Sequence, residues 1–264
     1  LVGLCFLLLQ RQELIGNMLL ICGAVMLIIV GVYSVRECTA EERHRLWVAM
    51  FLITMQPIFW ALFEQQAGSL TLLADQQFDL HFLGMDIYAS QVQTLNPFFI
   101  VTLAPVMAWL WLALAKKGWE PSTPLKFSIA MILIGGGYMI FAWGLVVDEG
   151  SAKSFLWFVL IYLALTLGEL CLSPIGLSMV TKLSVQKIVG MMMGVWFLGM
   201  AFGNYMSGVI GGLAGNTGHG ADAALLDMDK TVDLFNTVGL LGIGVGIFIL
   251  ILTPWLRKGM HGVH

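Results

Sequence analysis

Glu64 and Glu169 stand inside long apolar stretches, the runs 46–74 and 154–181. A carboxylate held near the middle of a bilayer costs roughly 2.5–3.5 kcal/mol on insertion scales, so it turns toward a bundle interior or a water-filled cavity and marks a pathway. The chemistry open to such a group is proton uptake and release, and the pairing of a cation. Burial disfavours the charged form of a carboxylate and a nearby cation favours it. One glutamate can therefore exchange among a proton, a basic partner and a bound ammonium.

Polar and aromatic residues gather around both acids. Trp60 precedes Glu64 by four residues and shares its helical face, with Gln65, Gln66 and Ser69 adjoining and Leu73 further along the stripe. Ser173 is one turn from Glu169, Ser178 lies beyond it, and a later apolar run brings Trp196, Phe197 and Asn204. A tryptophan in a membrane helix commonly serves packing or the interface. Trp196 lies nine residues in from Lys187, deeper than an interfacial belt, which places it with Trp60 on the wall of a pocket. Pro57 and Pro174 flank the two acids, and Pro97 follows Asn96. A proline inside a helix removes a backbone hydrogen bond and bends the axis. Broken helices beside buried acids are the expected lining of a cavity with moving walls.

The elements that must position these residues follow from composition. The chain has 264 residues, 59% of them hydrophobic and 11% charged, with a mean hydropathy of +0.88, far from the balance of a water-soluble domain. Apolar runs of roughly 20 residues or more suffice to cross a hydrocarbon core of roughly 30 Å as helices. One helix is predicted at 16–35, followed by six spans at 46–74, 94–115, 125–147, 154–181, 188–214 and 232–256. The run 1–9 is too short to cross, lacks the features of a signal peptide and reads as the cut end of another helix. The chain is thus expected to be the carboxy-terminal part of something longer, with 1–45 as a linker region and 46–264 as a six-helix bundle.

Lysine and arginine set the orientation. Arg36, Arg43, Arg45, Lys116, Lys117, Lys126, Lys182, Lys187, Arg257 and Lys258 fall on one side, ten of the thirteen basic residues. Arg11, Lys153 and Lys230 fall on the other, among Asp75, Asp79, Asp86, Asp148, Glu149, Asp222, Asp227 and Asp229. The basic side is expected to be cytoplasmic and to hold the chain's end. Glu64 and Glu169 come well inside the membrane, each on the leading span of a group of three, 46–147 and 154–256. The two triplets begin on opposite sides, the inverted-topology pattern of major facilitator transporters. Gly190/Gly194, Gly199/Gly203, Gly208/Gly212 and Gly242/Gly246 are small-residue pairs that allow close helix approach.

Other chemistries lack their residues. Cys5, Cys22, Cys38 and Cys171 have neither metal-ligand nor redox spacing, so no metal site is expected. His44, His81, His219, His261 and His264 all read as loop or terminal residues, which leaves the carboxylates as the proton carriers. An intramembrane enzyme would need paired aspartates, a serine with a histidine, or a metal-binding arrangement at depth, and none is legible. Nucleic-acid binding has no signal either.

Three segments together resemble a known family. They are the stretch from Phe59 to Leu70 (FWALFEQQAGSL) with Ala74–Asp75, the stretch from Gln93 to Ile100 (QTLNPFFI) with Ala104–Pro105, and the stretch from Gly168 to Ser178 (GELCLSPIGLS). In this order they look like the carboxy-terminal half of the proton-dependent oligopeptide transporters, and most like the bacterial dipeptide and tripeptide permeases. The resemblance implies an all-α membrane protein of the major facilitator superfamily that imports di- and tripeptides with protons, needs no cofactor beyond the coupling proton, and sits in the bacterial inner membrane. It implies that the helix at 16–35 belongs to an extra pair between two six-helix halves. It further implies that Asn96 and Glu169 hold the peptide's amino terminus, that Trp60, Ser173, Trp196 and Phe197 shape the pocket, and that Glu64 is a proton-coupled or interdomain residue. Asp75 would belong to an outer gate closed by a basic partner in the amino-terminal half. A facilitator of another substrate, such as a drug or nitrate, would share the six spans without these three motifs together. A non-transporting structural subunit would leave Glu64 and Glu169 to pair with bases on a partner.

Overall fold

A computed structural model describes residues 11–82, 85–148, 153–214 and 227–262. The expected helix end at 1–9 lies outside these, as do Glu149, His219, Asp222 and His264. Among the described residues, seven spans are long and apolar enough to cross a membrane, and they fall where the hydropathy places them. α1 covers Gln12–Glu37. α2 (Ala40–Phe63) and α3 (Ser69–Gln77) share the next span. The short α4 (Ala89–Val92) leads into α5 (Leu95–Lys116), and α6 (Thr123–Val147), α7 (Leu156–Leu183), α8 (Val189–Ala214) and α9 (Met228–Gly259) complete the bundle.

The helix ends carry ordinary signals. Thr39 caps α2 in a reciprocal box, its backbone N–H donating to Glu42 at 2.9 Å and its hydroxyl accepting from the Glu42 N–H. Pro124 stands at the start of α6, where its missing N–H costs no helical bond. Asp227 caps α9 by accepting from the Lys230 N–H, and this bond holds its carboxyl below the usual carboxylate range. Arg36, Lys116, Lys182, Arg257 and Lys258 occupy last turns, where they oppose the helix dipole.

Two pairings tie the ends of the bundle. β1 (Phe78–Asp79), just after α3, lies parallel to β4 (Lys153–Ser154), just before α7, on the acid-rich side. β2 (His81–Phe82) and β3 (Met85–Asp86) form a small antiparallel pair between them. On the basic side His44 stacks on His261, with ring nitrogens 3.2 Å apart. His44 therefore stands in the opening turns of α2 and not in a loop: the capping box at Thr39 starts that helix earlier than the hydropathy alone suggests.

Packing is closest where backbones touch. Gly135 of α6 meets the backbone of Gly239 and Ile243 on α9, and Gly246 meets Ser128 and Ile132, with the Ser128 hydroxyl donating to the Gly246 carbonyl at 2.7 Å. On the other flank Gly199 and Gly203 of α8 lie against Gln56, Pro57 and Trp60 of α2. Between them, Phe59, Tyr138, Phe141, Phe158, Tyr162 and Phe235 fill the core, and the Tyr138 hydroxyl donates to the Leu62 carbonyl at 2.6 Å. α1 leans on α8 and α2. α5 has no buried residue and contacts the bundle chiefly through α7.

The expected break beside Glu64 is present, but no proline makes it. Pro57, Pro105, Pro174 and Pro254 all lie inside continuous helices. The span carrying Glu64 tightens into a 3-10 turn over Glu64–Gln66 and restarts after Gly68. Leu73 consequently does not continue the helical stripe of Trp60 and Glu64.

Candidate functional site

The break holds because side chains take up the backbone groups it frees. Gln65 is buried and donates to the Ala61 carbonyl, the Ser207 carbonyl and the Ser207 hydroxyl at 2.9–3.2 Å, while its own oxygen accepts from Ser69. The Gln66 carbonyl accepts from Thr71 at 2.7 Å and from the Tyr162 hydroxyl at 3.4 Å, and Gln93 donates to Thr71. Gln65 thus fixes the break to α8, while Thr71 and Gln93 fix the outer piece, α3, to the segment leading into α5.

Beside this break α5 crosses α7, and the sequence-predicted residues meet there. Asn96, in the opening turn of α5, donates through its amide nitrogen to Glu169 Oε2 at 3.1 Å and to Thr166 Oγ1 at 3.1 Å. Thr166 in turn donates to the Tyr162 carbonyl at 2.8 Å. An amide nitrogen has two donors, and both are used. Glu169 Oε1 takes no hydrogen bond among the described residues, and no described lysine or arginine pairs with Glu169 or Glu64. Glu64 sits half-buried at the break. The site is a carboxylate with an uncommitted oxygen and one neutral amide as partner. It can accept a proton or a hydrogen-bonding cation.

The other expected residues divide. Ser173 is half-buried one turn along α7, and Phe197 is exposed on α8. Trp60 and Trp196 do not present open rings to a pocket: they are 5% and 1% exposed. Trp196 is pressed onto Gly176, leaving no room for a Cβ there, and meets the Phe127 ring edge-on. Trp60 is wedged between Phe59 and Phe63. With the Gln56 amide oriented to suit its neighbours, Trp60 Nε1 donates to it at 2.7 Å and it donates to the Trp196 carbonyl at 3.2 Å. Their place is in helix packing, because small residues stand opposite them. Asp75 is exposed on α3 and has no partner among the described residues.

Thr166, Tyr162 and the Gln65–Ser207 contact were not singled out in the sequence. Thr166 precedes Glu169 by three residues and so shares its face, a signal available to periodicity. The Gln65–Ser207 pairing spans α2 to α8 and leaves no local trace.

Known proteins share both the sequence and the fold. The model of the POT family matches residues 8–222. The chain is 36% identical over 231 residues to the uncharacterized transporter YclF of Bacillus subtilis, covering 88% of this chain and 44% of that protein. It is 36% identical over 244 residues to the peptide transporter YePEPT of Yersinia enterocolitica, covering 91% and 46%. Against dipeptide and tripeptide permease B of Aeromonas hydrophila it is 30% identical over 255 residues, covering 96% and 51%. The crystal structure of a peptide transporter POT in complex with sulfate superposes with a TM-score of 0.79 at 29% identity, over 99% of this chain and 51% of that one. The chain spans about half the length of the relatives it matches, and its fold is of the major facilitator type. A family match over most of the sequence, together with a fold shared along nearly all of it, means that this chain belongs to the POT family.

Proposed function

We propose that this chain forms the carboxy-terminal half of a transporter that carries di- and tripeptides together with protons across the bacterial inner membrane by alternating access, with its carboxy terminus in the cytoplasm. The observation that carries the reading is the contact of Asn96 with Glu169 at the crossing of α5 and α7. Relatives named as peptide transporters and permeases support the substrate class.

In this reading Glu169 keeps the Asn96 amide on Oε2, and its uncommitted Oε1 takes one of two mutually exclusive partners: a proton, or the ammonium of a peptide's amino terminus. A ligand moves a conformational equilibrium only through its different affinity for the two states. An ammonium drawing on Glu169 and Asn96 together favours the state in which α5 and α7 stay close. Protonation removes the charge that attracts the ammonium and favours release. Glu64, at the helix break, is a second group that takes up and releases a proton. Ser173 and Phe197 line the route beside them. Bases for the peptide's carboxylate, and a partner for Asp75, come from the amino-terminal half.

The test is proton movement. Addition of a dipeptide to proteoliposomes of the full-length protein, loaded with a pH-sensitive dye, acidifies the lumen in this reading. Peptide entry with no lumenal acidification would contradict proton coupling, and absence of both would remove the peptide assignment.

A further inference from the structure

The turn of α7 that carries Glu169 also carries Thr166, which is fully buried and whose hydroxyl makes two hydrogen bonds of opposite sense. It donates to the Tyr162 carbonyl, one turn back on the same helix, at 2.8 Å. It accepts from the Asn96 amide nitrogen at 3.1 Å. A hydroxyl has one proton and two lone pairs. Bonding to the carbonyl four residues back is a common habit of threonine inside a helix. Here it commits the only proton to the backbone, so that Thr166 offers α5 an acceptor and nothing else.

A terminal amide has a donor end and an acceptor end, and the groups that face it decide its orientation. Thr166 Oγ1 and Glu169 Oε2 both draw on the Asn96 nitrogen. The nitrogen is therefore turned to α7, and Oδ1 is turned away from these two partners. Asn96 Oδ1 and Glu169 Oε1 take no hydrogen bond among the described residues. The two free oxygens belong to groups in direct contact. An ammonium, with three donors and no acceptor, is the kind of group that uses both.

Protonation of Glu169 is the step at which this arrangement is at risk. A neutral carboxyl donates as well as accepts. An amide facing the acid alone could turn over, take the carboxyl proton on Oδ1 and present its N–H groups where an ammonium must bind. Thr166 opposes that turn, because Oδ1 would then meet the lone pairs of Oγ1 unless the hydroxyl gave up the Tyr162 carbonyl.

We infer that Thr166 is a positioning residue for the substrate: it locks the Asn96 amide with its nitrogen toward α7 in both protonation states of Glu169, so that Asn96 Oδ1 and Glu169 Oε1 together select a peptide with a free amino terminus. The inference rests on the reading of Asn96 and Glu169 as the ammonium site and adds the device that orients them.

The test is inhibition of labelled dipeptide uptake into proteoliposomes of the full-length protein, by the unlabelled dipeptide and by its N-acetylated form, in the wild type, Thr166→Val and Thr166→Ser. The wild type is expected to be inhibited more strongly by the free dipeptide. Thr166→Val keeps the shape and removes the acceptor. It should weaken inhibition by the free dipeptide about fivefold, the order of one hydrogen bond, and change inhibition by the N-acetylated form by less than about twofold. Thr166→Ser returns the hydroxyl and should restore the ratio of the two. Maximal uptake and the thermal midpoint of Thr166→Val should stay close to the wild type. An unchanged ratio in Thr166→Val, or a Thr166→Ser variant no more selective than Thr166→Val, would overturn the lock and leave the ammonium site standing. A wild type that does not distinguish the free from the N-acetylated dipeptide would overturn both.

Discussion

α6 and α9 meet backbone to backbone, whereas α5 meets the bundle through half-buried side chains, apolar and polar. At the α6–α9 seam, glycines at positions 135, 239, 242 and 246 let the helices approach until no Cβ would fit. At α5, Asn96 reaches Glu169 and Thr166 at one end, Trp111 lies beside Lys126 at the other, and Leu95, Phe99 and Met107 rest half-buried against the core. Without a hydrophobic drive between helices in lipid, close van der Waals packing gives a fixed frame, while hydrogen bonds between side chains can be exchanged for others. The comparison separates what positions the site from what can move within it. The break at Glu64–Gly68 has both characters: Gln65 anchors it to α8, and Thr71 passes its outer piece to the α5 side.

The seam offers the harshest test. Gly135→Val places methyl groups against the backbone of Gly239 and Ile243, which cannot yield, and should lower stability by about 3 kcal/mol, read as a fall in thermal midpoint or in folded yield. Next comes Gln65→Leu, which leaves Ser207 and Ser69 without their buried partner and should cost about 1–3 kcal/mol in the same assay. Asn96→Ala removes two half-buried hydrogen bonds at the edge and should change stability by only about 1 kcal/mol. Its transport effect should nevertheless be large, a fall of tenfold or more in peptide uptake. If Asn96→Ala were as destabilising as Gly135→Val, the division between frame and exchangeable edge would be lost.

The smallest effects sharpen the same line. Gly190 and Gly208 have open space where a Cβ would go, so Gly190→Ala and Gly208→Ala should leave stability within about 0.5 kcal/mol. A larger loss in the full-length protein would reveal a surface covered by its other half. At the α9 cap, the Asp227 carboxyl is held below its ordinary range by the Lys230 N–H. Its stabilisation is therefore complete above the unfolded carboxylate pKa and is lost as pH falls through the lower folded value. Asp227→Ala should produce a small drop in thermal midpoint at neutral pH that disappears in strong acid.

The sequence made the frame legible through bilayer length, and the acids through the cost of burying charge. Glu169 and Asn96 were paired through the family resemblance, and Thr166 could have been added from its helical spacing. The small-residue pairs were half informative: Gly199/Gly203 and Gly242/Gly246 are in helix contacts, while Gly190/Gly194 and Gly208/Gly212 face open space. Nothing in the pairs themselves tells these apart, because the facing residue decides. The same limit applies to Trp60 and Trp196, whose depth suits a pocket wall or a core equally until Gly203 and Gly176 are placed opposite them. The break was expected at prolines, yet the polar run after Phe63 made it, because Gln65 and Gln66 found partners on α8 and α7 that local sequence does not record.

The central claim is that Glu169, engaged by Asn96 at the edge helix, couples a proton to a peptide. Uptake of a labelled dipeptide into proteoliposomes of the full-length protein, with and without an inward proton gradient and with Glu169→Gln beside the wild type, tests it most directly. The account predicts gradient-dependent uptake in the wild type and its loss in Glu169→Gln. Undiminished gradient-driven uptake in Glu169→Gln would contradict it.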